Sequence, residues 1–319
     1  MPCCDCLSSS GSERFDILGL GCVAVDEVLY VPSFPRADEK VRVASALRRC
    51  GGLTGAAMVT AARMGATCAF AGCLGTDEAS QYVADHFARE GIDVSHAPRL
   101  AEARVVTSTI VVGQDIGSRN IFYQADGLIG AHGHLPSDEV IRNTRVLFID
   151  QYGMKGNLRA ARIARSVGAS VVADFEDDSG PEFREVLGLV DHLILSQDFA
   201  RQTTRTQDPA QAAQVLWQAG RAAVIITDGP NGCWSLATGG ESAVRHHPAF
   251  LVAAKDTTGC GDVFHGAYAA ALARDLPLVE RIRFASAAAA LKATRHGGQA
   301  GIPSLHAVEA FIAALARQS

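Results

Sequence analysis

Asp256-Thr257-Thr258-Gly259-Cys260-Gly261-Asp262 runs directly into the small-residue stretch Val263-Phe264-His265-Gly266-Ala267-Tyr268-Ala269-Ala270-Ala271-Leu272. The pattern predicts two glycines and a carboxylate at the mouth of a helix. Free N–H groups of the first turn and the positive end of the macrodipole converge there, which suits a phosphate or a developing oxyanion. A carboxylate in that turn can take the proton of an attacking hydroxyl while the N–H groups of Gly259, Cys260 and Gly261 hold the transferred group. The chemistry suggested is phosphoryl transfer to an alcohol, with Asp262 as general base. A lone G-x-G-D also has a plainer reading, because capping and dipole alone favour Asp in a first turn.

Such a turn needs a framework to aim it. Strand and helix patterns alternate for most of the length, which predicts a parallel sheet covered on both faces. Strands are expected at 15–20, 67–71, 146–149, 170–173, 192–195 and 223–227, and helices at 53–64, 160–166, 210–219, 279–294 and 307–316. The helix at 53–64 is opened by Gly51-Gly52 and closed by Gly65 at a C-cap position. Two regions break the rhythm. Residues 23–30 with 40–46 are β-rich and punctuated by Pro32 and Pro35, and 105–112 with 119–123 alternate like a hairpin. Together they are expected to form a small sheet, about 23–50 and 104–125, projecting from the main unit.

Length and composition allow a large core: 319 residues, 48% hydrophobic, make one large α/β unit with or without a small appendage. With 29 basic and 34 acidic residues the net charge is −5, and no basic stripe points to nucleic acid. The longest apolar stretches, such as 285–291, are too short to span a bilayer. Residues 1–14 lack the apolar core of a secretory signal, so the expectation is a cytoplasmic protein with no membrane partner. These residues read as a disordered, Ser-rich leader ahead of a single unit at 15–319. Nine cysteines at irregular spacing argue against a disulfide framework. Cys3, Cys4 and Cys6 have ligand character for a soft metal, but no second pair of matching spacing follows.

Other short motifs carry less. Gly19-Leu20-Gly21-Cys22-Val23-Ala24 fits the dinucleotide fingerprint G-x-G-x-x-A, yet a β-branched run and Pro32 follow where that fingerprint demands a helix. Asp26 reads either as a ligand accepting hydrogen bonds from vicinal hydroxyls or as a surface acid in a loop. Gly51-Gly52 lets the backbone approach a ligand, or is simply a turn. Thr227-Asp228-Gly229-Pro230-Asn231-Gly232 is a turn that could expose backbone donors and the Thr227 hydroxyl to phosphates, or an ordinary strand-to-strand connection.

The string D-T-T-G-C-G-D followed by Phe264, Gly266 and Ala267 resembles the C-terminal signature of the PfkB/ribokinase family of carbohydrate kinases, with Cys260 where the family usually has Ala. The similarity extends over about residues 15–316. It implies a ribokinase-like three-layer α/β/α sandwich carrying a small β-sheet lid, and an ATP- and Mg2+-dependent sugar kinase. Gly21 to Asp26 and the pair Gly51 and Gly52 match the family's sugar contacts, and Lys40 falls where some relatives place a basic residue near the sugar's far end, its other reading being a solvated lysine. Thr227, Gly229 and Gly232 resemble the T-x-G-x-x-G element beside the nucleotide. The stretch 283–303, with Gly297, resembles the segment flanking the adenine. Its carbonyls, with Asp256 and Thr258, imply a monovalent-cation (K+) site as in several members. A homodimer through the lid is a further expectation.

Three departures matter. Ala56 replaces the Asn of G-G-x-x-x-N, and Ser196-Gln197-Asp198-Phe199 replaces N-x-x-E. There the wording is similar to the ketohexokinase and sulfofructose kinase branch, which leans the reading toward a ketose. Asp150-Gln151-Tyr152-Gly153 carries no Arg for a sulfonate, leaving Lys40 or Arg119 for any anionic end. Cys260 needs only its backbone N–H, and a thiol at a helix N-terminus is expected to have a lowered pKa. The competing readings are a ribose or nucleoside kinase of the same fold and a non-catalytic sugar- or nucleotide-binding regulator.

Overall fold

Successive residues of a strand point to opposite faces, so a strand apolar at every position must be covered on both. The computed structural model describes residues 14–115, 119–238 and 243–317, and residues 1–13 of the expected leader lie outside that range. In chain order the elements begin with β1 (Phe15–Leu20), β2 (Ala24–Val31), β3 (Ser45–Gly51), α1 (Leu53–Arg63), β4 (Cys68–Phe70), α2 (Glu78–Arg89), β5 (Val106–Gly113) and β6 (Arg119–Gln124). Next come α3 (Asp138–Arg142), β7 (Thr144–Asp150), α4 (Met154–Ser166), β8 (Ser170–Asp174), α5 (Phe183–Leu189), β9 (His192–Ser196) and α6 (Gln197–Thr204). The chain continues through α7 (Pro209–Leu216), β10 (Ala223–Thr227), β11 (Cys233–Ala237), β12 (Arg245–His247), α8 (Cys260–Ala273), α9 (Leu278–Ala293) and α10 (Leu305–Ala316).

The main sheet has the order β12-β11-β10-β9-β8-β7-β1-β4, parallel from β10 to β4 and antiparallel at the β11–β12 edge. Ile17, Phe148, Val172, Ile194 and Ile225 face one layer of helices that includes α1, α8 and α9. Their neighbours Leu18, Leu147, Val171, Leu193 and Val224 face the other, built from α4, α5, α6 and α7. Burying one such side chain is worth about 1.5–3 kcal/mol, against about 1 kcal/mol for a helix cap, so strand hydrophobicity dictates the layering. The small residues of α8 have a packing reason: a Cβ on Gly266 would lie 2.2 Å from the Ala57 carbonyl oxygen, so α8 crosses α1 at backbone distance.

A second sheet has the order β3-β2-β5-β6. It grows from the C-terminal end of β1, because β2 begins four residues after β1 closes. β2 runs antiparallel to β3 and parallel to β5, and β5 and β6 form a hairpin. The region expected as strand at 40–46 is mostly loop. The ladder ends with Tyr30 opposite Ser45, so β3 runs on to Gly51 and Lys40 sits exposed in the preceding loop. Helix α2 was not expected from the sequence, although Asp77 caps it by accepting from Ser80 N–H at 2.9 Å. Its apolar positions Val83, Ala84 and Phe87 carry helical spacing. Among the described residues no helix is long and apolar enough to cross a membrane.

Candidate active site

Strands β1 and β7 are neighbours, yet the chain leaves them in opposite directions, toward β4 from one and toward β8 from the other. Such a reversal opens a crevice at the carboxyl ends of the strands, the usual ligand position in an open α/β sheet. Asp150, at the end of β7, is fully buried there and well satisfied. Its Oδ2 accepts the Cys22 N–H at 2.7 Å and the Thr54 hydroxyl at 2.8 Å, and its Oδ1 accepts the Tyr152 N–H at 2.8 Å. A Cβ on Gly21 would fall 2.3 Å from that carboxylate, so Gly21 is required by packing against Asp150.

Above the crevice lies a cavity of about 690 Å3. One wall is the inner face of the second sheet, where Asp26, Ser108, Ile110, Ile121 and Tyr123 stand. Ser108 Oγ donates to Asp26 Oδ1 at 2.5 Å. Burial pushes the Asp26 acid above the ordinary carboxylate value, and the Ser108 hydroxyl opposes that shift. Gly51 and Gly52 continue the wall. Gly52 has a left-handed φ of 87°, and a Cβ there would sit 2.7 Å from Val23 Cα, which leaves no room for any other residue.

The opposite wall is the N-terminus of α8. Gly259, at φ 73°, caps the helix without a side-chain partner, and Thr258, Gly259 and Asp262 face the cavity. Among the described residues no internal acceptor meets the N–H of Gly259 or Gly261, whereas the Cys260 N–H turns back to Thr257 O at 3.2 Å. Two of the three amides expected to cradle an anion are therefore open, and the third is engaged. Asp262 is half-buried. Burial, then the Asp174 and Glu176 carboxylates, hold its acid well above the usual range, with His265 acting in the other direction. A carboxylate of raised pKa beside open amides has the makings of a proton acceptor next to an anion cradle.

His265, one turn along α8, was not singled out from the sequence. Its Nδ1 donates to Gly261 O at 2.8 Å and lies 3.3 Å from Asp174 Oδ2, while Nε2 lies 3.0 Å from Ile194 O. The ring thus ties the first turn of α8 to the ends of β8 and β9. Its i+3 spacing from Asp262 places it on the same helical side, but the partners Asp174 and Ile194 are distant in sequence. Arg119, on β6, reaches across to the main sheet's loop: its Nη1 donates to Thr258 Oγ1 at 2.8 Å. Glu176 and Asp177 also line the cavity.

Several expected residues stand elsewhere. Lys40 is not on the cavity wall, and neither are Thr227, Gly229 and Gly232, which form the turn between β10 and β11. Gly232 is needed there because a Cβ would lie 2.0 Å from His247 O. Cys260 overturns its expectation: burial raises its thiol pKa, and Asp256 and Asp262 add to that, outweighing Lys292. Phe199, at the place of the family Glu, is buried against Phe183 rather than facing the cavity. Asp256 and Gly297 join two loops, Gly297 N–H donating to Asp256 Oδ2 at 2.7 Å and Thr258 N–H to Oδ1 at 2.9 Å. Burial pushes the Asp256 acid up, but these amides, the Thr258 side chain and the nearby Lys292 outweigh it and leave it below the ordinary value.

The architecture is similar to that of Arabidopsis thaliana ribokinase, solved in complex with ribose and ATP, with a TM-score of 0.82 over 94% of this chain and 99% of that one. At 19% identity that likeness is one of fold, and it defines the ribokinase-like α/β class. Residues 16–305 match the model of the pfkB family of carbohydrate kinases, and the chain belongs to that family. It is an ATP-dependent sugar kinase. Among curated relatives it is 31% identical to the ribokinase of Haemophilus influenzae, over 89% of this chain and 94% of that protein. To fructokinase-1 of Oryza sativa subsp. japonica it is 27% identical, over 80% and 84% respectively.

Proposed function

We propose that the protein transfers the γ-phosphoryl group of ATP to a hydroxyl of a small ketose, with Asp262 as the general base. The observation that carries this reading is a single cavity with Asp26, Gly51 and Gly52 on one wall and Thr258, Gly259 and Asp262 on the other. A sugar held through vicinal hydroxyls by Asp26 is presented to Asp262, and the open amides of Gly259 and Gly261 face the phosphoryl in flight. Thr227, Gly229, Gly232 and Gly297 are assigned to the nucleotide side. Among the described residues no group of three acidic, His or Cys side chains is spaced to hold a metal, which fits Mg2+ arriving on the nucleotide's phosphates. When bound, Mg2+ would offset charge repulsion between those phosphates, and Glu176 and Asp177 are the remaining cavity carboxylates that would meet it.

The second sheet acts as a lid in this reading, with Arg119 and Thr258 as its contact to the phosphate loop. Closure excludes water and suppresses ATP hydrolysis. A homodimer through this sheet is part of the proposal, because β6 leaves Ile121, Phe122 and Tyr123 exposed.

Ala56 on the cavity wall, in place of an amide, and Phe199 in place of Glu favour a ketose. The 31% identity to a ribokinase favours ribose instead. Sugar-dependent ADP release across ketoses, pentoses and nucleosides tests the choice. The expected result is a ketose preferred over ribose by at least about tenfold in kcat/KM, a difference of about 1.4 kcal/mol in transition-state binding. A preference for ribose moves the assignment to a ribokinase, and no release with any sugar leaves a binding regulator.

A further inference from the structure

A loop that cradles phosphates must keep its shape against the negative charge it receives. Lys292, near the end of α9, is fully buried at 0% exposure. Its Nζ donates to the main-chain oxygen of Asp256 at 2.9 Å and lies 3.7 Å from Asp256 Oδ1. The other contacts of that carboxylate are the N–H groups of Thr258 and Gly297 and the Thr258 hydroxyl. One residue beyond Lys292, the Ala293 carbonyl accepts the N–H groups of Lys255 at 2.7 Å and Asp256 at 3.1 Å. One ammonium and one carboxylate therefore join three segments: the approach to α8, the end of α9 and the Gly-rich loop at Gly297.

The donor set matters here. The resemblance implies K+ held by Asp256, Thr258 and loop carbonyls, yet the Asp256 oxygens are already met by two amides and a buried ammonium. A second cation beside the fully buried Lys292 ammonium would add repulsion. These residues do not fit a K+ ion.

We propose that Lys292 is a built-in cation, its ammonium serving the loop that the family resemblance would assign to K+, so that loop geometry and phosphoryl transfer need no added monovalent cation. The part about transfer rests on the kinase reading; the part about loop geometry does not. Lysine supplies a compact charge on a flexible stem, and its covalent tether removes the need to recruit an ion from solution. Lys292 is a positioning residue here, acting through Asp256 on the turn that presents Gly259 and Asp262.

Two readouts on the full chain, at constant ionic strength with choline as the reference cation, test this. For the unaltered protein, replacing choline by K+ is expected to leave the melting temperature unchanged and to alter turnover by less than about twofold, because an ion that does not bind the native state cannot shift it. Lys292→Ala opens a space beside an unpaired Asp256. Its turnover in choline is expected to fall by at least about tenfold, with K+ or ammonium restoring most of it and raising the melting temperature. Lys292→Met fills the space, and neither ion is expected to restore it. A rise in the unaltered protein's melting temperature or turnover with K+ overturns the proposal. So does a Lys292→Ala protein that is fully active in choline, or one that neither ion restores. If neither variant folds, the unaltered protein's melting curve decides. That curve needs no sugar or ATP, so its outcome is separate from the fate of the kinase reading.

Discussion

In the proposed transfer Asp262 works by position and by proton affinity, and the two can be separated. Asp262→Asn keeps the shape of the α8 turn but cannot accept a proton. Turnover is expected to fall at least about a hundredfold, the low end for a general base, with sugar and nucleotide binding largely intact by calorimetry. A fall under twofold ends the assignment. The raised pKa gives a second handle. An acid held above its usual range stays protonated to higher pH, so kcat/KM declines as pH falls through that raised value. Asp174→Asn removes a negative neighbour while His265 remains, which eases ionisation of Asp262. The acid limb of the kcat/KM profile is expected to move to lower pH, and a limb that stays or moves upward contradicts the coupling.

At the scale of elements, the site depends on how closely α8 and α1 approach. Gly266 lies against the Ala57 carbonyl, so Gly266→Val must push α8 away from α1 and tilt its N-terminus. A loss of stability of at least about 1–3 kcal/mol, the usual cost of overpacking, is expected from the denaturant midpoint, together with reduced turnover. The six parallel strands were legible because they are short, mainly apolar runs bounded by turn residues, clearest in β8 and β10. The loop at 40–44 was not, because Val41 to Val43 carry local β propensity while pairing is decided by the length of β2. Helix α2 carried a local signal in its Asp77 cap and in the spacing of Val83, Ala84 and Phe87, but half of its 12 residues are polar and the apolar stripe is short.

On the scale of the molecule, two sheets share one cavity, and the second presents an edge strand, β6, with all six residues exposed. An edge with Ile121, Phe122 and Tyr123 open to solvent is a surface that proteins usually cover. Phe122 is not on the cavity wall, so Phe122→Glu, which would bury an unpaired charge in the proposed interface, is expected to convert a dimer to a monomer in light scattering with less than about a threefold effect on kcat. A monomer in the unaltered protein removes the dimer from the proposal.

Local pattern by itself determined the alternation of strands and helices, the helix mouth at Gly259 to Asp262 and the family signature, because each is set by residues close together in the chain. Whether an amide or a side chain is free depends on what lies opposite, and only the tertiary structure decided that. It buried the Cys260 thiol so that its pKa rises, and left Lys40 outside the cavity. It also brought Ser108 to Asp26, His265 to Asp174 and Lys292 to Asp256. These pairs are separated by 36 to 91 positions and meet only when the layers close, so no local spacing announces them.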